Sequence, residues 1–156
     1  LAFNVIADRV KLLGTLRCLN TALYEELPEW VESTAKQICR AYGGDATVRF
    51  RGIAPPVQND LELTRLLEQV ALEQLGRERV LELEQPSLGA EDFAHYLGHV
   101  PGCMFRLGVA GPEGCAPLHN GAFNPEEACL PLAVELLSAT LRRFLEQHGQ
   151  QSGAAL

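Results

Sequence analysis

Four stretches of the chain repeat apolar residues at helical spacing. Val31, Ala35, Ile38, Cys39 and Tyr42 predict an amphipathic helix that starts by about Pro28 and is stopped by Gly43-Gly44. Leu63, Leu66, Leu67, Val70 and Ala71 predict a second, with Asn59 and Glu62 as its capping box and Gly76 as its stop. "GAEDFAHYL" (89–97) reads as a short third helix. The closing helix carries the fullest set of signals: Asn124 as N-cap, Pro125 in the first helical position and Glu127 completing a capping box. It is expected to run from 125 to about 147, burying Val134, Leu137, Leu141 and Phe144, with Pro131 kinking it or loosening its first turns. "GQQSGAAL" (149–156) reads as a frayed tail.

Elsewhere the period shortens to two, or the apolar run becomes continuous. "AFNVI" (2–6), "VKLLGTLRC" (10–18), "ATVRFR" (46–51), "RVLEL" (79–83) and "CMFRLGVA" (103–110) are the expected strands. In the second, Lys11, Thr15 and Arg17 share one face; in the third, Ala46, Val48 and Phe50 oppose Thr47, Arg49 and Arg51. The linker "GIAPPVQND" (52–60) separates two textures, because its paired prolines deny both helix and central strand. Before it the order is strand–strand–helix–strand, a sheet with a helix on one face that lacks the first strand and helix of a complete α+β sandwich. After it, strand–helix alternation argues for an α/β layer.

Composition narrows the function classes. A hydrophobic share of 47% and a charged share of 21% suit a packed globular chain. The net charge of −7, with no basic run, argues against duplex nucleic acid or an anionic membrane as partner. No apolar stretch approaches the ~20 residues that span a bilayer, and no secretory signal is visible. Five scattered cysteines without a C-x-x-C pair fit a reducing cytoplasm better than a disulfide framework. The chain opens on "LAFNVI", strand-like and without an initiator methionine, as expected of a piece of a longer polypeptide.

Several residues could carry chemistry. His119 stands in "PLHNG", where the backbone is free to turn and one ring nitrogen can be presented while the other is fixed. That stance suits a metal ligand, and equally a loop histidine bonded to backbone. His95 and His99, spaced i and i+4, resemble half of a zinc-binding helix, but no glutamate lies between them and Gly98 should end the helix first. Cys115 and His119 suggest a thiol with its base, although nothing orients the base. Glu126-Glu127 read as first-turn acids of the closing helix rather than as a catalytic pair. Gly89, ahead of a helix start with Asp92 in its first turn, is either an anion-binding turn or a plain one. Arg17 and Thr15 could face a carboxylate or simply solvent.

"NVIAD…LLGTLR", "PSLGAEDFAHYL", "VPGCMFRLG" and "PLHNGAFNPEEACLPLAV" occur in this order. Together they resemble the C-terminal half of the aminoacylase/hippurate hydrolase-type amidohydrolases, two-metal enzymes of the zinc-peptidase clan. That clan includes auxin-conjugate hydrolases, carboxypeptidase G and diaminopimelate deacylases. The similarity runs from about Phe3 to about Glu146. It implies an α/β fold: residues 52–156 as the C-terminal part of a phosphorylase/hydrolase-like catalytic domain, preceded by residues 1–51 as the second half of an α+β (ferredoxin-like) dimerisation lid. It implies His119 as a metal ligand, Asn4, Arg17 and Gly89 as substrate-binding residues, and no catalytic acid or base within this chain. Ala7 replaces the proline usual after "NVI", and Asn120-Gly121 replace the usual Ser-Pro after the histidine.

The resemblance thus implies a cytoplasmic, homodimeric enzyme that hydrolyses N-acyl-L-amino acids to a carboxylate and a free amino acid. Two divalent ions, zinc or manganese, would polarise the amide and activate a bridging water. The remaining metal ligands and the glutamate base lie outside these 156 residues, so the chain alone is expected to be inactive. The alternatives are a dipeptidase or diaminopimelate-type deacylase of the same clan, or a non-catalytic dimerisation and binding module.

Overall fold

A computed structural model describes residues 4, 6–52 and 54–149. The expected strand at 2–6, apart from Asn4 and Ile6, and the expected tail beyond Gly149 lie outside the described residues. Among the described residues four α-helices follow in order: α1 (Thr21–Ala41), α2 (Leu61–Leu75), α3 (Phe93–Leu97) and α4 (Cys129–Gly149), with one 3-10 turn at Arg77–Arg79. The chain divides into two compact units. The first holds Leu1–Pro56 with Ser87–Ala90, the second Val57–Pro86 with Glu91–Leu156.

In the first unit α1 begins a full two turns before the expected Pro28. Asn20 is the N-cap, its side-chain oxygen accepting the Leu23 N–H at 3.0 Å while its carbonyl accepts that of Tyr24 at 2.9 Å. Pro28 therefore lies inside the helix, which runs through it. The glycine stop is as expected. Gly44 N–H bonds to the Cys39 carbonyl and Gly43 N–H to that of Arg40, with Gly43 at φ +75°, the paired bonds of a Schellman end. Val31, Ala35 and Cys39 are half-buried, whereas Ile38 and Tyr42 of the expected stripe are exposed.

The second unit is organised by α2 and α4. Leu67, Val70 and Ala71 of α2 meet Leu136 of α4, flanked by Val80, Cys103, Phe105 and Ala139. The α2 stripe is the one read from sequence, but its cap is not. Asp60 accepts the Leu63 N–H at 2.9 Å. Asn59 turns away to clasp Met104, donating to its carbonyl at 2.8 Å and accepting its N–H at 2.9 Å. A side-chain amide thus stands where a neighbouring strand would supply a ladder pair. Asp60 N–H adds a bond to the Gly102 carbonyl at 2.8 Å. A Cβ at Gly102 would lie 2.7 Å from Leu97 Cδ2 of α3, so a side chain there would oblige Leu97 to shift.

The expected start and face of α4 are both corrected. The helix begins at Cys129, so Asn124, Pro125 and Glu127 do not cap it. A start at 125 would put Pro131 inside the helix, its ring against the Glu127 carbonyl; a start at 129 leaves it in the first turn, where its missing N–H has no partner to lose. Glu126 N–H goes instead to the Val109 carbonyl at 2.9 Å. α4 also carries two apolar stripes. Leu136 is buried against α2, whereas Val134, Leu137 and Leu141, expected in the core, are more than half exposed; Phe144, the fourth residue of that stripe, is half-buried.

None of the four expected strands that lie within the described residues forms; the only pairing among those residues is an isolated bridge between Gly111 and Gly114. The segments 46–51 and 103–110 are irregular; Ala46 and Val48 are half-buried between exposed neighbours, and Cys103 and Phe105 pack against the core. A strand needs a ladder partner, and neither segment has one within its own unit among the described residues. Leu81 and Leu83 of the expected 79–83 strand are exposed, after the 3-10 turn that takes up its first residue.

An ion pair braces the two long helices of this unit. Arg143 Nη2 donates to Glu73 Oε2 at 2.7 Å, and Gln69 donates to the same carboxylate. The bond from Arg143, then that from Gln69, holds the Glu73 carboxyl below its ordinary value. A carboxyl depressed in the folded state stabilises fully above its unfolded pKa, and that contribution is lost as pH falls through the folded one. Glu73→Gln should therefore flatten the loss of stability on acidification below about pH 4.3, the ordinary glutamate value. Chemical denaturation of both proteins at a series of acid pH values reads the difference.

Candidate functional site

His119 belongs to a loop fastened along its length. Pro117 to Asn120 form a turn closed by the Asn120 N–H on the Pro117 carbonyl at 3.2 Å. His119 takes its third position at φ +68°, and no other non-glycine among the described residues has a positive φ. The third position of a type II turn ordinarily belongs to glycine, and a side chain there costs about 1–3 kcal/mol. Asn120 continues the constraint. Its Oδ1 accepts the Ala122 N–H at 2.8 Å and its carbonyl that of Phe123 at 2.9 Å. The imidazole itself is exposed. Backbone strain at an exposed histidine secures no packing, which sets His119 apart from an ordinary loop residue.

The other sequence candidates resolve differently. The Cys115 thiol donates to the Asn124 carbonyl at 3.2 Å, which aims it along the loop and not at His119. α3 ends at Leu97, so His99 lies past the helix and the i, i+4 face with His95 is not made. Gly89 N–H is accepted by Ser87 Oγ at 3.0 Å, and α3 has only five residues, so no helix-start anion site forms there. Arg17 Nη1 donates to the Leu88 carbonyl at 2.7 Å. The first unit thereby brings together two of its three expected substrate-binding residues, Arg17 and Gly89. The third, Asn4, is exposed in a turn. His119 belongs to the second unit. The contact between Arg17 and Leu88, 71 residues apart in sequence, was invisible to pattern reading, since neither periodicity nor a motif signals it.

Among the described residues no three His, Cys, Asp or Glu side chains gather to hold an ion. His119 offers one donor nitrogen, and a catalytic metal asks for about three protein ligands. The described residues can therefore contribute a ligand to a metal centre but do not build one by themselves.

The sequence profile of peptidase family M20/M25/M40 matches residues 4–143, and the chain belongs to that family. It is 42% identical over 137 residues to "Probable hydrolase sll0100" of Synechocystis sp., a match covering 86% of this chain and 35% of that protein. It is 34% identical over 137 residues to an N-acetyldiaminopimelate deacetylase of Anoxybacillus flavithermus, covering 86% and 34%. It is 31% identical over 150 residues to "IAA-amino acid hydrolase ILR1-like 4" of Arabidopsis thaliana, covering 92% and 34%. The chain thus spans about a third of the length of these curated relatives. No solved structure matches it. The family implies an α/β hydrolase-type fold and, in general, divalent metal ions.

Proposed function

We propose that this chain is the C-terminal part of a metal-dependent amidohydrolase that cleaves N-acyl-L-amino acids to a carboxylate and a free amino acid. The observation that carries the reading is His119, an exposed imidazole held at φ +68° in a fastened loop of a chain that belongs to a metallopeptidase family. The relatives support the substrate class by their names: a deacetylase of an N-acetylated amino acid and a hydrolase of an amino acid conjugate.

In this reading His119 holds one of two divalent ions, zinc or manganese. Such ions supply carbonyl polarisation and an activated water. Asn4, Arg17 and the Gly89 loop serve the carboxylate end of the substrate. The other ligands and the proton-transferring glutamate come from outside these residues, and the chain alone is inactive. Pairing of two copies through residues 1–51 and a cytoplasmic location belong to the same proposal. Five free cysteines support the location, and the exposed Trp30 and Ile38 on α1 support a partner for that unit.

A diaminopimelate-type deacylase is the second reading, favoured by the N-acetyldiaminopimelate deacetylase relatives. A panel of N-acetyldiaminopimelate, other N-acyl-L-amino acids and dipeptides, offered to the native polypeptide that contains this chain, tests both. Hydrolysis of several N-acyl-L-amino acids is the expected result. Turnover of N-acetyldiaminopimelate alone gives the second reading, and turnover of dipeptides alone overturns both.

A further inference from the structure

His119 keeps its positive φ in a stretch that burial does little to hold, since residues 117–122 are all exposed. A turn such as Pro117–Asn120 can close with its central peptide in either of two orientations. In one the third residue lies at roughly φ +80°, in the other at roughly −90°, and a residue with a side chain ordinarily takes the second. Turning that peptide over moves the backbone nitrogen of His119 and so re-aims its imidazole. The restraint comes from the residue that follows. Asn120 ends this turn and begins the next: its N–H bonds to the Pro117 carbonyl at 3.2 Å, and its carbonyl accepts the Phe123 N–H at 2.9 Å. Most residues could make those two backbone bonds. The third bond needs a short polar side chain, because Oδ1 reaches the Ala122 N–H, two residues on, at 2.8 Å.

We propose that Asn120 is a positioning residue for the metal ligand: its bond to Ala122 fixes the chain's exit from His119 and so keeps the imidazole in the orientation that meets the ion. The inference rests on the reading of His119 as a ligand. A site whose binding-competent conformation is only partly populated binds more weakly in proportion, so the Asn120 bond and the ion are linked through one backbone conformation. The histidine itself disfavours that conformation, so the balance depends on such a bond. Losing one neutral hydrogen bond should cost about 5-fold in its population. Alanine at 120 removes the acceptor, whereas a serine hydroxyl can take the same N–H. The conservative substitution therefore separates the acceptor from the rest of the side chain.

The test compares the wild type with Asn120→Ala and Asn120→Ser in the native polypeptide that contains this chain, stripped of metal. Amide hydrogen exchange at Ala122, read by mass spectrometry, reports the loop. Titration with zinc against a chromophoric chelator reports the ligand. In Asn120→Ala, exchange at Ala122 should quicken about 5-fold and the affinity for one zinc ion should fall about 5-fold. Asn120→Ser should stay within about 2-fold of the wild type in both. Faster exchange with unchanged zinc affinity makes Asn120 a purely structural loop residue and overturns the proposal. Weaker zinc with unchanged exchange puts the Asn120 amide on the ion itself and overturns it too. So does a serine variant that restores the exchange rate but not the affinity. A wild type that takes up neither zinc nor manganese defeats the reading of His119 as a ligand, and the proposal with it. Where the wild type binds the ion, only the role of Asn120 is at stake.

Discussion

A His119→Gly variant is expected to fold at least as well as the parent and to lose about 100-fold or more of its amide hydrolysis. The argument joins two opposite effects at one residue. At φ +68° the histidine bears a conformational cost of about 1–3 kcal/mol that glycine does not, and glycine's greater loss of freedom on folding, about 0.5–1 kcal/mol, offsets part of the relief. The imidazole is exposed, so no burial is forfeited in exchange. If it is a metal ligand, however, its removal opens the coordination shell. Changing even the outer partners of metal ligands costs 10–100-fold in metal affinity or activity, and a ligand itself should cost more. His119→Ala makes the control, because it removes the ligand but keeps the strain. Thermal unfolding and steady-state hydrolysis on the native polypeptide read both effects. Activity retained in both variants would return His119 to the status of a loop residue.

The second large effect lies in the small core between α2 and α4. Leu136→Ala should cost about 3 kcal/mol, because Leu136 is 4% exposed and sits against Leu67, Val70 and Ala71. In a chain of this size that lowers the unfolding midpoint by roughly 6–12 °C. Leu137→Ala, one residue along the same helix, removes a side chain that is 54% exposed and should stay within about 0.5 kcal/mol of the parent. The sequence does not distinguish these two leucines: both belong to apolar stripes at helical spacing, and the Val134–Leu137–Leu141 stripe reads as the stronger. Only the packing of α2 selects Leu136. Equal losses from the two variants, measured by denaturant unfolding, would mean that both stripes are covered.

That pair of leucines shows where pattern reading stops. Helix existence was legible because a 3.6-residue repeat and a glycine stop are local properties, as at Gly43 and Gly76. Helix starts were less legible because several residues compete for the capping role. Asn59 and Asp60 are adjacent and equally able to cap, and the choice fell to Asp60 because Asn59 is held by Met104, 45 residues away. Strands were least legible. Alternation shows that a segment can show one face to a core, as Ala46 and Val48 do, but a ladder needs a second segment that alternation does not name. In the candidate site the turn-prone setting left His119 open between ligand and loop residue, and only the family resemblance singled it out; its positive φ was hidden, since Asn120-Gly121 invite the turn one residue later. The tie from Arg17 to Leu88 left no trace in composition or spacing.

The most direct measurement is hydrolysis of an N-acyl-L-amino acid by the native polypeptide, before and after chelation and again after zinc or manganese is restored. The account predicts turnover that falls to background on chelation, returns with the divalent ion, and does not return in His119→Gly. Turnover indifferent to chelation, or restored equally in His119→Gly, would contradict it.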